Sequence, residues 1–208
     1  MNRLIISCGI LAVASVASAS TLYTWTFSGA NTDLGPTSNF TNNGVTIAAS
    51  GFSSNGVAAD LYGKNQGAGE IGLGMNADPT GDHEIYFGTD FIQLDLTNVF
   101  AQNISSLQIM MGSSTSGESW RVYNTASAGT LVGATSLLNG TDESLHSISP
   151  SSSKKYLDIV VTGPWPHGNV LLSQLTGTSS VPEPSSIVSM LSGLGLIGLG
   201  LLKRLRTS

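Results

Sequence analysis

Leu22-Tyr23-Thr24-Trp25-Thr26-Phe27-Ser28 alternates large apolar side chains with small hydroxyls. Successive side chains of a strand point to opposite faces, so Tyr23, Trp25 and Phe27 fall on one side and Thr24, Thr26 and Ser28 on the other. The stretch predicts a half-buried strand. The same alternation returns in Val45-Thr46-Ile47-Ala48 and in Phe91-Ile92-Gln93-Leu94-Asp95-Leu96, where Ile92, Leu94 and Leu96 share a face. Further strands are expected at 60–62, 84–87, 107–111, 120–124, 155–162 and 170–176, about nine in all. Asn43-Gly44, Asn55-Gly56, Thr80-Gly81 and Asn139-Gly140 are turn signals between the runs. No segment of 20–176 repeats its apolar residues at helical spacing over ten positions. The chain therefore reads as all-β: an antiparallel β-sandwich of jelly-roll-like form over 20–176, with a closed barrel as the alternative.

Both flanks read differently. Arg3, an apolar stretch from Leu4 to Val16, and Ala17-Ser18-Ala19 before Ser20 have the layout of a signal peptide over 1–19, cut between Ala19 and Ser20. Cys8, the single cysteine, lies inside it, so the exported chain would have neither a disulfide nor a thiol nucleophile. Ile5-Ile6-Ser7-Cys8 faintly resembles a lipoprotein box, but too few apolar residues separate it from Arg3.

At the other end, residues 177–186 form a Ser/Thr/Pro linker containing Pro182-Glu183-Pro184. The uncharged run Ile187–Leu202 follows, then Lys203, Arg204 and Arg206. As a helix that run reaches about 24 Å against a hydrocarbon core of roughly 30 Å. Residues 187–208 are therefore expected to form a single, marginal transmembrane helix with a basic tail on the cytosolic side, a temporary anchor in the inner membrane.

Spacer, short apolar helix and basic end, in that order, resemble the PEP-CTERM sorting signal of exported proteins of Gram-negative bacteria. The motif positions are Pro182, Glu183, Pro184, Lys203, Arg204 and Arg206. The resemblance implies an exosortase partner, a membrane-embedded cysteine enzyme that cuts near Pro-Glu-Pro and releases the protein towards the cell surface or an exopolysaccharide matrix. The Leu-Pro-x-Thr-Gly signature of the Gram-positive wall signal is absent. The stretch from Ala58 to Leu96 also looks like the extracellular domain of many PEP-CTERM proteins, a likeness that implies no activity.

Between the flanks, Lys64, Arg121, Lys154 and Lys155 face twelve acids over 20–180, a net charge of −8. Nucleic acid and anionic lipid are poor partners for the folded part, while a surface rich in Ser, Thr, Asn and Gly suits secretion and contact with sugars. Gly67–Gly72 and Gly193–Gly198 both match G-x-G-x-x-G, but neither opens a helix in a βαβ unit. His83-Glu84 begins like a zincin motif, yet Phe87 stands where the second histidine would be. His146 and His167 read as solvated loop residues, and no Gly-x-Ser-x-Gly elbow presents a serine.

Three candidates for binding or chemistry remain. Asn76, Asp78, Asp82 and Glu84 crowd oxygen atoms into a loop turned by Gly81, the pattern that structural calcium requires, with an acidic surface turn as the alternative. Trp165, between Pro164 and Pro166, is a candidate platform for a sugar ring, although such rings are more often covered. Asp95, Glu84 and Glu118 could supply a glycosidase acid pair if the fold brought two of them together. The expectation is an exported cell-surface or matrix protein without catalysis of its own and without a cofactor, calcium aside. A carbohydrate-binding module is the first alternative, requiring Trp165, Trp120 or Tyr62 exposed on one face, and a secreted glycoside hydrolase is the second.

Overall fold

The computed structural model describes residues 18–67, 69–114, 117–163 and 168–182, with side chains from Ser20 to Ser179. Thr21–Ser179 form one compact unit; a second groups Met1–Ser20 with Ser180–Ser208 and falls almost wholly outside the described residues.

The fold is all-β, two antiparallel sheets enclosing one core. The first sheet has the order β13 (His146–Ser147), β10 (Ser105–Gly112), β15 (Asn169–Pro182), β7 (Ile71–Met75), β6 (Leu61–Asn65), β2 (Thr32–Gly35), and β1 (Ser18–Thr26) and β8 (Ile85–Tyr86) also pair with β15. The second runs β12 (Thr135–Gly140), β11 (Trp120–Thr125), β14 (Tyr156–Val161), β9 (Asp90–Asp95), β4 (Val45–Ser53), β3 (Thr37–Asn42), with β5 (Ala58–Ala59) beside β4.

Period-two patterning explains which faces close on each other. Tyr23, Trp25 and Phe27 are buried, as are Val45, Ile47 and Ala49 of β4, whereas the residues between them are at least partly exposed. Burial of a ring such as Trp25 requires a partner for its N–H, and Nε1 donates to the Val45 carbonyl at 2.9 Å. Asn43 and Gly44 join β3 to β4 with φ of 47° and 77°, the double left-handed conformation of a tight hairpin turn.

Several local expectations are corrected. The described residues contain fifteen strands rather than about nine. Those missed are short, polar or glycine-rich, such as β7 with Gly72 and Gly74. Asn139-Gly140 is not a turn: both residues pair in register with β11, as Arg121↔Asn139 and Trp120↔Gly140. Strand β9 is buried on both faces, because Phe52 stacks on Phe91 at 5.3 Å and Gly129 N donates to Gln93 Oε1 at 3.1 Å. A short helix, α1 (Thr97–Ala101), begins where the Asp95 carboxylate accepts the Thr97 N–H at 2.8 Å. Finally, β15 runs through Gly177, Thr178 and Ser179 to Pro182, so the first part of the segment expected as linker is strand.

Candidate functional site

Glycines on β7 create the site. Tyr62 and Lys64 of β6 pair with Gly74 and Gly72, so the sheet face opposite them carries no side chain. His83 and Glu84 lie directly on Gly74, where a Cβ would stand 2.0 Å from the His83 carbonyl oxygen, while a Cβ at Gly72 would meet Leu171 and Leu172 of β15. Lys64 is buried, 4% exposed, with Glu84 against its ammonium.

Lys64 Nζ donates to Glu84 Oε1 at 2.7 Å and also pairs with Glu70. The Ser113 hydroxyl completes the cluster, 2.7 Å from Glu84 Oε1 and 3.0 Å from Glu70 Oε1; its one proton serves one carboxylate at a time. Ser113 reaches this place in the left-handed region, φ 57°, with its N–H donating to the Gly69 carbonyl. Around the cluster is an open cleft of about 310 Å³ lined by Lys64, Gln66, Glu70, Asp82, Glu84, Ser113, Glu118 and Asn169.

Electrostatics divides the cluster. Burial alone would lower the Lys64 ammonium, but its hydrogen bonds to Glu70 and Glu84 outweigh that and hold its pKa above the ordinary value. The hydrogen bond from Lys64 lowers Glu70. Burial pushes Glu84 up to about 7 despite the bonds from Lys64 and Ser113. Lys64 is thus a fixed cation, and Glu84 is the group able to exchange a proton near neutrality.

The calcium candidates have separate partners rather than a shared focus. Asn76 Nδ2 donates to Asp33 Oδ2 at 2.7 Å. Asp78 is buried and accepts from Thr80 N, Thr80 Oγ1 and Glu84 N, an Asx turn that shapes the loop. Asp82 is exposed at the cleft, and Glu84 faces Lys64. Among the described residues, no three His, Cys, Asp or Glu side chains are placed to hold a metal ion.

Of the acids singled out for sugar hydrolysis, Glu84 and Glu118 line the same cleft, whereas Asp95 serves the start of α1 on the other sheet. Trp120 is fully buried, which removes it as an exposed sugar platform. Tyr62 is half-buried and stacks on His83 at 3.9 Å beside the cleft. His146 is not a free loop residue: it belongs to β13, its Nε2 lies 2.7 Å from Asp142 Oδ1, and its ring meets Trp120 edge-on. Lys64, Glu70 and Ser113 escaped the sequence reading as a cluster, since Ser113 and Glu84 lie far along the chain from the Lys64–Glu70 hairpin and no motif joins them.

Trp165 and His167 lie outside the described residues, as do Ala17, Glu183, Pro184, Lys203, Arg204 and Arg206. Ala19 and Ser20 are in β1, and Pro182 is the last residue of β15. Among the described residues no helix is long and apolar enough to cross a membrane, and the run Ile187–Leu202 is not among them.

Neither a curated protein nor a solved structure matches the chain. Residues 180–204, from the end of β15 through the Pro-Glu-Pro and the apolar run to the basic residues, match the PEP-CTERM protein-sorting motif. The chain is a β-sandwich whose last strand leads into a PEP-CTERM protein-sorting motif.

Proposed function

We propose that this chain is a non-catalytic exported protein, tethered in the inner membrane of a Gram-negative bacterium, cut by an exosortase and placed at the cell surface or in the exopolysaccharide matrix. The observation that carries this reading is the sorting motif at residues 180–204. A net charge of −8 over 20–180 and a polar, hydroxyl-rich surface agree with a solvated extracellular module. Replacing Pro182-Glu183-Pro184 by three alanines in the native host should leave an uncut form in the inner membrane; equal processing of wild type and variant would contradict the reading.

Polysaccharide binding is the second reading, favoured by the cleft, whose lining of carboxylates, amides, a hydroxyl and an ammonium matches the hydrogen-bonding needs of sugar hydroxyls. The rings of Tyr62 and His83 stack on each other, and Asp82 and Glu84 on either side of His83 line the cleft. Retention of the secreted form on a column of the host exopolysaccharide, lost in Glu70→Ala, would support this role, and unretarded elution of the wild type would remove it.

A further inference from the structure

We propose that the folded sandwich sets the upstream limit of exosortase processing at its last strand: no peptide bond of β15 before Ser179–Ser180 is available to the enzyme while the domain is folded. The proposal rests on the exosortase reading above and adds to it the boundary that the fold imposes.

The sequence presents 177–186 as a spacer open to attack, but the structure incorporates its beginning into the first sheet. Ser105 pairs with Thr178, Gln108 with Thr176 and Ile109 with Leu175. Thr176 and Ser179 are buried at 7% and 3% exposure, and a Cβ at Gly177 would stand 2.6 Å from Ile104 and 2.7 Å from Leu107. A protease takes its substrate as extended chain with free backbone groups, whereas these groups are held by β10. Releasing them means lifting a strand whose Leu171, Leu172 and Leu175 are completely buried in the sheet.

β15 pairs with β10, β7, β1 and β8, so peeling it from the sheet opens the core itself. The compact unit ends at Ser179, and eight residue steps join that position to Ile187, at most about 28 Å of extended chain. Recognition and cutting are thereby confined to residues on the C-terminal side of Ser179. One peptide bond is broken there, and the new acyl end passes to water or to an amine acceptor while the tail leaves with a free amino terminus.

Two measurements test this. Mass spectrometry of the secreted protein should find a C-terminus at Ser179 or later, with Thr178 retained in every molecule; a product ending at Thr178 or earlier overturns the proposal. Retention of the whole tail on the secreted protein would refute the exosortase reading instead. Independently of that enzyme, proteinase K treatment of the detergent-solubilised full chain should trim the C-terminal side and stop with Ser179 still attached. A protected fragment that ends within β15 at Thr178 or earlier overturns the proposal whatever the exosortase does.

Discussion

Lys64 Nζ and Glu84 Oε1 stand 2.7 Å apart with both side chains at 4% exposure or less, although 20 residues of chain separate them. A buried pair of this kind gains little over an apolar pair of equal size, because desolvation offsets attraction, but losing one member leaves the other exposed to the full penalty. Lys64→Met should therefore destabilise the fold by about 3 kcal/mol, whereas Glu84→Gln, which keeps an oxygen acceptor for Ser113, should destabilise by less than about half as much. Urea unfolding at pH 7.5 measures both; equal and negligible effects would show that the pair is solvated in solution.

Stability should rise, not fall, as the solution is made mildly acidic. Burial raises Glu84 to about 7, and Asp90 and Asp158 each to about 6, above the ordinary carboxyl values. The folded state therefore holds these protons more tightly than the unfolded chain does. Their contribution is complete below the unfolded pKa and is lost as pH rises through 6 to 7. Glu70 and Asp142 are lowered, Asp142 to about 2, so their contribution fades only in stronger acid. The melting temperature should be higher at about pH 5 than at pH 7.5, and Asp158→Asn should flatten the slope. A melting temperature that falls steadily from pH 7.5 to 5 would contradict this.

Trp120 and Gly140 are cross-strand partners, and a Cβ on Gly140 would stand 2.1 Å from the indole ring. Gly140→Ala must displace a fully buried ring and should destabilise by about 2 kcal/mol. The displaced indole should also red-shift the tryptophan emission. An unchanged spectrum and midpoint would show that the strand absorbs the methyl group.

Gly44 makes the opposite case, since nothing lies within 4 Å of its Cβ position but its φ is +77°. Gly44→Ala should lower stability by about 1 kcal/mol through backbone conformation alone, leaving tryptophan emission unchanged. Comparing it with Gly140→Ala by urea unfolding separates a conformational from a steric requirement for glycine.

The strands with strong alternation were legible because their pattern is local: Tyr23-x-Trp25-x-Phe27 and Val45-x-Ile47-x-Ala49 bury as written. β7 was hidden because Gly72 and Gly74 have no side chain to alternate, and the same absence lets His83 and Glu84 approach the backbone at Gly74. Asn139-Gly140 misled because a turn dipeptide and a glycine making room for Trp120 look alike in one dimension.

The all-β class, several of the strands and the sorting motif at 180–204 are written in the linear chain, since these depend on periodicity and on the order of contiguous chemical types. The meeting of Lys64, Glu70, Glu84 and Ser113, and the start of the supposed spacer as strand, exist only once the chain has folded. Both outcomes come from contacts between segments distant in the chain, Lys64 with Glu84 and Ser113, and β10 with β15, whose energies depend on which faces the fold brings together.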